Sequence, residues 1–415
     1  MRRDDIRAMV QSWGKGKFVR VFAALLEGRS ATGEKIPKLR AEDVSLRALW
    51  EGLVGPVDET LDSAKRAGAF NYLEMQEAID ATAFPSATGV LIASRVIEGY
   101  SNAEGMIGDE MVTVMQSRLK SERVVGFTSL EGPEEVAESM PYAESSFEEK
   151  YVTTETAKKG RILEITEEAI YFDQTGQILM RASRLGEMIR EEREEIIVAG
   201  VLDVGGSSGL TVGGRKYRTV YRPGGTATTL YSTGNLNLVG SSTPVPLVDW
   251  TDIDEAMLHH AENIRDDRAV SGERRPIIWM PKVLLVARKK AATGARILSA
   301  TEVRSGDITS GAGDQTISGN PLKSIVGNLR VLSSPLMDYL AGVSGSQYND
   351  SDDWFLGDPK RQFVWQEIWP LQTFRAVQDD EARFRRDIVS RLKARYYGGF
   401  FALDHRHMLK VNAAA

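Results

Sequence analysis

The chain contains no cysteine and only four histidines among its 415 residues. Without cysteine it has neither disulfides nor thiolate metal sites, so packing must supply its stability and a cytosolic setting is the simplest interpretation. The most apolar run, 276–287, is interrupted by Pro281 and Lys282, and no apolar segment of signal-peptide length follows the N-terminus. The sequence therefore predicts neither a membrane span nor secretion.

The sequence also lacks the short motifs of common enzyme classes. It has no Walker sequence, no Rossmann glycine pattern after a strand, no nucleophile elbow and no His-Glu-x-x-His motif. The stretch 205–214 is glycine-rich, but it follows a predicted helix and has no lysine in the phosphate-contacting position. We interpret it as a flexible loop, and we predict that the chain is not an enzyme and uses no cofactor.

The histidines occur as two pairs, His259 with His260 and His405 with His407. Residues two apart on a strand face the same side, and two imidazoles with a carboxylate would suit a metal ion. Adjacent histidines on a helix point about 100° apart, however, and the second pair has no evident third ligand. We predict no metal site, and keep a metal-dependent hydrolase using His405, His407 and a carboxylate as an alternative of a different class.

Charge is unevenly distributed along the chain. The formal net charge of −6 does not suggest a dedicated nucleic-acid binder. Residues 131–149 nevertheless hold seven Glu and no base, whereas 381–410 hold eight Lys or Arg against three acids, and 1–40 hold ten against four. A basic segment would attract the acidic one.

With 42% apolar residues, the chain has enough apolar side chains for a sizeable core, and its length suits two or three domains.

One long amphipathic helix is predicted from Asp173 to Leu202, with Asp173 as its N-cap and Gly205 and Gly206 beyond its end. Its apolar stripe has spacings of three and four: Ile178, Ala182, Leu185, Ile189, Ile196 and Ala199. Its charged residues predict a solvated face with stabilising pairs three or four apart: Arg181, Arg184, Glu187, Arg190, Glu191, Arg193, Glu194 and Glu195.

The region before this helix predicts two kinds of structure. The first hundred residues predict short helices on an extended arm, with a small helical subdomain as the alternative. A helix is expected at Ile92–Ser101, and the apolar spacing at 111–119 also favours a helix. Strand-like residues at 124–130 and 147–156 flank an acidic, turn-rich stretch, which predicts a long hairpin. Because an isolated hairpin is marginal in water, we expect it to lie across another surface, which is available on a second subunit.

Helices and strands also alternate after the long helix, so the predicted class is α+β. A short strand is expected at Arg161–Ile165, before the long helix. The later elements are helices at 249–268 and 287–298 and strands at 276–286, 324–331, 354–356, 363–377 and 384–411.

The succession of these parts resembles the major capsid proteins of tailed bacteriophages with the Hong Kong 97-type fold. The run Thr-Ala-Lys-Lys-Gly-Arg-Ile-Leu-Glu-Ile-Thr-Glu-Glu-Ala at 156–169 is similar to that family's junction between extended loop and spine helix. The strands 365–377 and 380–401 are similar to its return to the peripheral domain. The resemblance implies an N-terminal arm and helices at 1–123, an extended loop at 124–165, the spine helix and first peripheral part at 166–272, an axial domain at 273–345 and the peripheral return at 346–415.

The same resemblance implies a structural role. The family builds icosahedral shells from hexamers and pentamers around double-stranded DNA, which the shell contacts non-specifically. The resemblance therefore implies a virion capsid assembled in the host cytoplasm, with a portal and possibly a decoration protein as partners. The sequence begins at Met1 and shows no long coiled-coil segment, so a separate scaffolding protein is expected. An encapsulin-like nanocompartment with protein cargo, which resembles the same fold, is the alternative.

We predict that contacts between subunits use the hairpin and a basic surface. The acidic tip would dock on that surface, and the contact would weaken with salt. Some relatives cross-link an extended-loop lysine to an asparagine, and Lys150, Lys158 and Lys159 lie in or near that segment, although a surface charge is the simpler interpretation. The predicted contact residues are Glu131, Glu134, Glu135, Glu138, Phe147, Tyr151, Lys158, Lys159, Arg383, Arg385 and Arg386.

Overall fold

A computed structural model describes residues 3–28, 39–53, 83–102, 104–125, 151–172, 174–267, 274–305, 316–375 and 388–413. The helices are α1 Arg3–Trp13, α2 Lys15–Glu27, α3 Leu46–Leu53, α4 Ala83–Ser101, α5 Gly108–Met111, α6 Glu167–Tyr171, α7 Thr175–Val201, α8 Trp250–Asn263, α9 Arg288–Ser299, α10 Leu322–Ile325, α11 Pro335–Ala341 and α12 Pro359–Gln362, with a 3₁₀ turn at Ala41–Asp43. These helices occur together with the strands given below, which confirms the predicted α+β class.

The strands are β1 Thr113–Gln116, β2 Arg123–Val125, β3 Tyr151–Thr153, β4 Ala157–Thr166, β5 Leu210–Val212, β6 Arg215–Tyr217, β7 Leu238–Val239, β8 Arg265–Asp267, β9 Arg274–Pro276, β10 Val283–Ala287, β11 Glu302–Ser305, β12 Thr316–Gly319, β13 Arg330–Ser334, β14 Trp354–Gly357, β15 Phe363–Arg375, β16 Ile388–Ala402 and β17 Met408–Val411. They form a four-stranded sheet, β1-β15-β16-β4, a five-stranded sheet, β13-β10-β14-β17-β7, and four two-stranded pairs.

The chain divides into two compact units. The first is built from described residues within Met1–Glu104, Lys158–Glu192 and Trp369–Tyr397, and the second from those within Gly105–Ala157, Arg193–Ile368 and Gly398–Ala415. None of the helices in the described part of the chain is long and apolar enough to cross a bilayer.

The N-terminal helices of the first unit pack on one another. Helix α1 contacts α2 and α3, and α2 contacts α4. Phe18 and Phe22 are buried between them with ring centroids 5.6 Å apart. Gly14, at φ 77°, separates α1 from α2 because a left-handed residue cannot continue a right-handed helix. The extended arm and the small helical subdomain both stay predictions.

Helices α4 and α7 approach each other closely in the first unit, and two glycines make the approach possible. A Cβ on Gly186 would lie 2.1 Å from the Val96 carbonyl oxygen, and one on Gly99 would lie 2.2 Å from that of Ser183. Both obstacles are backbone atoms, which cannot rotate away. The absence of side chains at these two positions therefore sets the distance between the helices.

The second unit is organised around the five-stranded sheet. All five residues of β10 are buried, as expected for a central strand covered on both faces. β10 pairs in parallel with β13 and antiparallel with β14, which in turn pairs antiparallel with β17. Helices α9 and α11 pack on β10 and β13, and α8 packs on β17. Trp354, fully buried, donates its indole N–H to the Val245 carbonyl at 3.0 Å.

Several predicted elements are confirmed with small differences in length. Helix α7 covers Thr175–Val201 of the predicted 173–202, while its predicted N-cap Asp173 lies outside the described residues. Helix α9 and strands β4, β14 and β15 also occur where predicted. Helix α8 begins where predicted but ends at Asn263, and residues 265–267 of the predicted helix form β8. The predicted strand 384–411 is two strands, β16 and β17.

Two local predictions are wrong. The helical signal at 111–119 corresponds to the end of α5 and then β1, because residues 113–116 pair in parallel with 364–367 of β15 and this tertiary pairing overrides the local spacing. The predicted strand 324–331 is the end of α10, a turn and the first residues of β13. Pro321 stands immediately before α10, a place where its fixed φ suits a helix start.

The predicted solvated face of α7 is also wrong over its second part. Arg181, Arg184 and Glu191 are exposed as predicted. Four of the other charged side chains are buried: Arg190, Arg193, Glu194 and Glu195. Burial of charge is tolerated where specific partners are supplied, so these residues indicate contacts that helical periodicity alone does not reveal.

Candidate assembly surfaces

The described ends of the predicted hairpin form the first candidate surface, in the second unit. β2 and β3 pair antiparallel in the register Arg123↔Thr153, Val124↔Val152 and Val125↔Tyr151. All of these residues except Arg123 belong to the two strands predicted for the hairpin, and the segment 126–150 between them lies outside the described residues. The two strands are its root.

The hairpin root is attached to the segment 222–224 by backbone hydrogen bonds. The N–H of Gly224 donates to the carbonyl of Tyr151 at 2.9 Å, and the N–H of Thr153 donates to that of Arg222 at 3.3 Å. Val152 and Pro223 form an isolated β-bridge between these bonds. Hydrogen bonds between β3 and residues 222–224 therefore hold the root in place, in addition to the pairing of β3 with β2.

The carboxylate of Glu155 adds an ionic contact next to the root. It lies between two guanidinium groups, those of Arg218 and Arg222, and its distance to Arg222 is 2.7 Å. All three side chains are about one-third exposed, so water weakens each pair, but one carboxylate bridging two arginines restricts both. The exit of the hairpin towards β4 is thereby fixed to the same segment as its root.

Tyr151 is the one predicted contact residue in the root. Its ring lies under the guanidinium of Arg123, 4.7 Å from the ring centroid, and its hydroxyl donates to the Gly224 carbonyl at 3.3 Å. The side chain is half-buried rather than available as a free aromatic surface. Its contacts within the chain hold β2, β3 and residue 224 together.

A second candidate surface lies in the first unit, where β4, β15 and β16 run side by side. Lys158 lies 5.5 Å from the Trp369 ring centroid, and Arg395 lies 4.4 Å from Trp369 and 4.3 Å from Phe374. Lys393 lies 5.6 Å from Phe374. We call these five residues the cationic face. Cations over aromatic rings are attracted by the ring quadrupole, so the rings hold the positive charges in place at the surface.

The strand β16 explains why the charges share one side. Residues 390, 392, 394 and 396 are buried, while Arg391, Lys393, Arg395 and Tyr397 are partly or fully exposed. This alternation has the period of two that a half-buried strand requires. Because this alternation can be read from the sequence, the cationic face could have been predicted as a contact surface. The sequence analysis predicted Arg383, Arg385 and Arg386 as the basic contact residues instead.

Lys158 and Lys159 have different surroundings although they are adjacent. Lys158 belongs to the cationic face, whereas the Nζ of Lys159 lies 2.6 Å from a carboxylate oxygen of Glu192 on α7. Adjacent strand residues point to opposite sides, so the two lysines cannot serve one surface. Of the predicted pair, Lys158 is the one that belongs to the cationic face.

The remaining predicted contact residues lie outside the described part of the chain, so their placement stays a prediction. They are Glu131, Glu134, Glu135, Glu138, Phe147, Arg383, Arg385 and Arg386, together with the cross-linking candidate Lys150. Sequence reasoning missed Glu155 and Trp369. No local pattern distinguishes Glu155 from its neighbours, because its arginine partners lie more than 60 residues further along the chain.

Three of the histidines, His259, His260 and His405, bond to other groups of the chain, whereas Nδ1 of His407 is buried without a hydrogen-bond partner. His260 is buried, stacks on Trp279 with centroids 3.9 Å apart, and donates its Nε2–H to the Arg406 carbonyl at 2.9 Å. Burial lowers the pKa of His260 to about 4, so it is neutral near pH 7. Nδ1 of His405 lies 3.0 Å from the Tyr221 hydroxyl, and burial lowers the pKa of His407.

No metal site is evident among the residues that the structure describes. Within these residues, no three side chains of the metal-ligating types converge on one point. Asp404, the carboxylate nearest to His405 and His407, is already bonded by the guanidinium of Arg406 at 2.8 Å. No observation in this region favours the hydrolase alternative.

Comparison with known proteins identifies the family by sequence. Residues 149–411, more than half of the chain, match the family model described as "Phage capsid protein". No curated protein sequence matches the chain significantly. The matched range begins at the returning side of the hairpin and includes α7, the cationic face and all of the five-stranded sheet.

Solved structures show a distant likeness. A structure of the cyanophage Pam1 capsid is 14% identical, with a TM-score of 0.42, 76% of this chain covered and 94% of that chain. The Mycobacterium phage Ogopogo structure is 14% identical, with a TM-score of 0.41 and the same two coverages. The virus-like particle from Pyrococcus furiosus is 8% identical, with a TM-score of 0.39, 77% of this chain and 98% of that chain. Membership rests on the sequence match: the chain belongs to the phage capsid protein family.

Proposed function

We propose that the chain is the major capsid protein of a tailed phage and assembles as hexamers and pentamers into an icosahedral head that encloses double-stranded DNA. The family match over residues 149–411 is the observation that carries the proposal. The α+β architecture agrees with the Hong Kong 97-type fold expected from the sequence. In this role the protein works by repeated self-contact, so many moderate contacts combined by symmetry give a stable shell.

We propose that the hairpin provides one of these contacts. Its root is held in place by residues 222–224 and by Glu155, which supports a contact made by the part of the hairpin between the two described strands. That segment contains the acidic residues 131–149, and a basic surface on a neighbouring copy would receive it. Arg383, Arg385 and Arg386 remain the proposed acceptors, and the cationic face would be a second basic surface for the same contact.

The further partners belong to the same proposal. A capsid of this kind uses a separate scaffolding protein during assembly, a portal for DNA entry and, in some phages, a decoration protein. Contact with packaged DNA would be non-specific, through phosphate groups. Assembly would take place in the host cytoplasm, and the finished protein would reside in the virion.

Electron microscopy of particles purified after expression with the candidate scaffolding protein tests the proposal. Closed shells that contain scaffold, and nucleic acid once packaging components are added, are expected. Shells that enclose a specific protein cargo and never nucleic acid would support the encapsulin-like alternative. Absence of any closed particle under these conditions contradicts the proposal.

Charge reversal tests the hairpin contact. The triple variant Glu134→Lys, Glu135→Lys, Glu138→Lys should assemble poorly, and its remaining assembly should increase with salt where that of the wild type decreases, because the attraction to a basic surface is replaced by a repulsion that salt screens. The matched control is Asp254→Lys, Glu255→Lys, Glu262→Lys on the exposed side of α8, which changes the net charge equally. Equal particle yield and equal salt dependence in the hairpin variant and wild type would refute the contact.

A further inference from the structure

The cationic face carries positive charges that are not neutralised within the described part of the chain. Three cations form no ion pair there: Lys158, Lys393 and Arg395. Their neighbours on the same two strands do form ion pairs, since Lys159 lies 2.6 Å from Glu192 and Arg391 lies 3.1 Å from Glu164. The face is therefore the part of β4 and β16 whose charge is available to an acidic partner.

Aromatic rings fix the position of the central cation. The guanidinium of Arg395 lies 4.4 Å from the ring centroid of Trp369 and 4.3 Å from that of Phe374. It also donates to Oε1 of Gln372 at 3.3 Å. Trp369 in turn packs edge-on against Tyr397, with centroids 5.4 Å apart. A side chain that is already held in place loses less conformational entropy when a partner binds, so these contacts pre-organise the face.

A close approach of β4 to β16 brings a second cation to the same surface. A Cβ on Gly160 would lie 2.6 Å from the Ala394 carbonyl oxygen, so a side chain at this position would separate the two strands. Lys158, two residues earlier and on the same side of β4, lies 5.5 Å from the Trp369 ring centroid. Cations from two strands therefore share one surface.

Apolar surface is exposed next to these charges. Phe374 is 41% exposed, and Ile162, on the same side of β4 as Lys158, is 60% exposed. Aromatic residues and arginine are the types that contribute most to binding at protein interfaces. The partner that suits this surface carries carboxylates together with apolar side chains.

The acidic segment 131–149 has this composition. It holds seven Glu and no base, and Met140, Tyr142 and Phe147 stand among the glutamates. We propose that the cationic face of one copy of the chain binds the segment 131–149 of a second copy, with carboxylates on the cations and apolar side chains on the exposed rings. The inference rests on the proposed function and deepens it: the contact includes burial of apolar surface, which salt does not screen.

Disulfide trapping tests the contact, because the chain has no cysteine of its own. Two full-length versions that differ in length by a tag are produced together with the candidate scaffolding protein. One carries Lys393→Cys at an exposed position, and the other carries Cys in place of one of the seven glutamates of 131–149, each in turn. A disulfide forms only where two Cα atoms come within about 7 Å. Purified particles should therefore contain a mixed dimer of the two versions for at least one glutamate position.

Asp254→Cys, on the exposed side of α8, is the matched control in place of Lys393→Cys and should give no mixed dimer above the background of random collisions. Closed particles without a Lys393→Cys mixed dimer at any of the seven positions overturn the inference and leave the proposed function standing. The same holds if the mixed dimer forms with Arg385→Cys but not with Lys393→Cys.

Two further outcomes also overturn the inference. If Lys158→Glu, Lys393→Glu lowers the amount of DNA retained in particles without lowering particle yield, the face binds nucleic acid instead of the acidic segment. If the wild-type chain forms no closed particles, the proposed function fails and this contact fails with it.

Discussion

The two parts of α7 differ in what surrounds their charged residues. Between Thr175 and Glu192, in the first unit, Arg184 and Glu191 are exposed and lie 3.0 Å apart on the helix surface. From Arg193 to Val201, in the second unit, the charges are buried and face other segments. Most charged side chains in the first part of this continuous helix are therefore solvated, with Arg190 as the buried exception, whereas the charged side chains of the second part make internal contacts.

The buried charges each hold a specific segment of the second unit. Glu194 accepts the N–H groups of Ile107 and Gly108 at 2.7 and 2.9 Å. Arg193 lies 2.8 Å from Asp109 and 5.0 Å from the ring centroid of Trp365. The carboxylate of Glu195 accepts the Tyr217 hydroxyl at 2.9 Å. A charge run on a long helix is therefore informative about tertiary contacts only once its partners are known.

The largest expected effect comes from the part of α7 in the first unit, through packing rather than charge. Gly186→Ala should destabilise the protein by about 3 kcal/mol, because the new methyl group meets backbone atoms of α4 and the helices must separate. Gly176→Ala is the control: nothing lies within 4 Å of its Cβ position, and the change should stabilise by about 0.5 kcal/mol. Thermal unfolding measures both, and equal melting temperatures would contradict the close approach.

A smaller but substantial loss is expected at the buried carboxylate. Glu194→Ala should cost about 2 kcal/mol, since it leaves the N–H groups of Ile107 and Gly108 without their acceptor. Glu194→Gln, which retains one oxygen acceptor, should cost less. Denaturant unfolding provides the measurement. A cost no greater than that of the exposed variant Arg184→Ala, described next, would mean that this carboxylate does not anchor residues 107–108.

The most direct test of the comparison uses one residue type at two places. Arg193→Ala should cost about 1.5 kcal/mol, because it removes the contacts to Asp109 and Trp365. Arg184→Ala removes only exposed pairs to Glu187 and Glu191 and should leave the melting temperature unchanged within error. The comparison fails if both substitutions have the same effect.

The sequence predicted the elements whose signals are local. The long helix follows from its apolar spacing, and strands β14 and β15 follow from runs of aromatic and β-branched residues. The error at 111–119 arose because a short run supports both helix and strand, and its pairing with β15 decides between them. Which charges of α7 are buried was not predictable, because the partners of Glu194 lie more than 80 residues earlier in the chain.

The candidate surfaces were predictable only in part. The two-residue spacing of Arg391, Lys393 and Arg395 could have indicated a basic strand face, because alternation is a local signal. The attachment of the hairpin root to residues 222–224 could not have been predicted from the sequence. It depends on backbone hydrogen bonds between segments about 70 residues apart, which no side-chain pattern encodes.

Sedimentation velocity of the concentrated full-length protein, produced together with its candidate scaffolding protein, tests the central claim most directly. The account predicts rapidly sedimenting particles that electron microscopy shows to be closed shells of many copies. A single sharp boundary at the size of one chain, unchanged over a wide range of concentration, would contradict it.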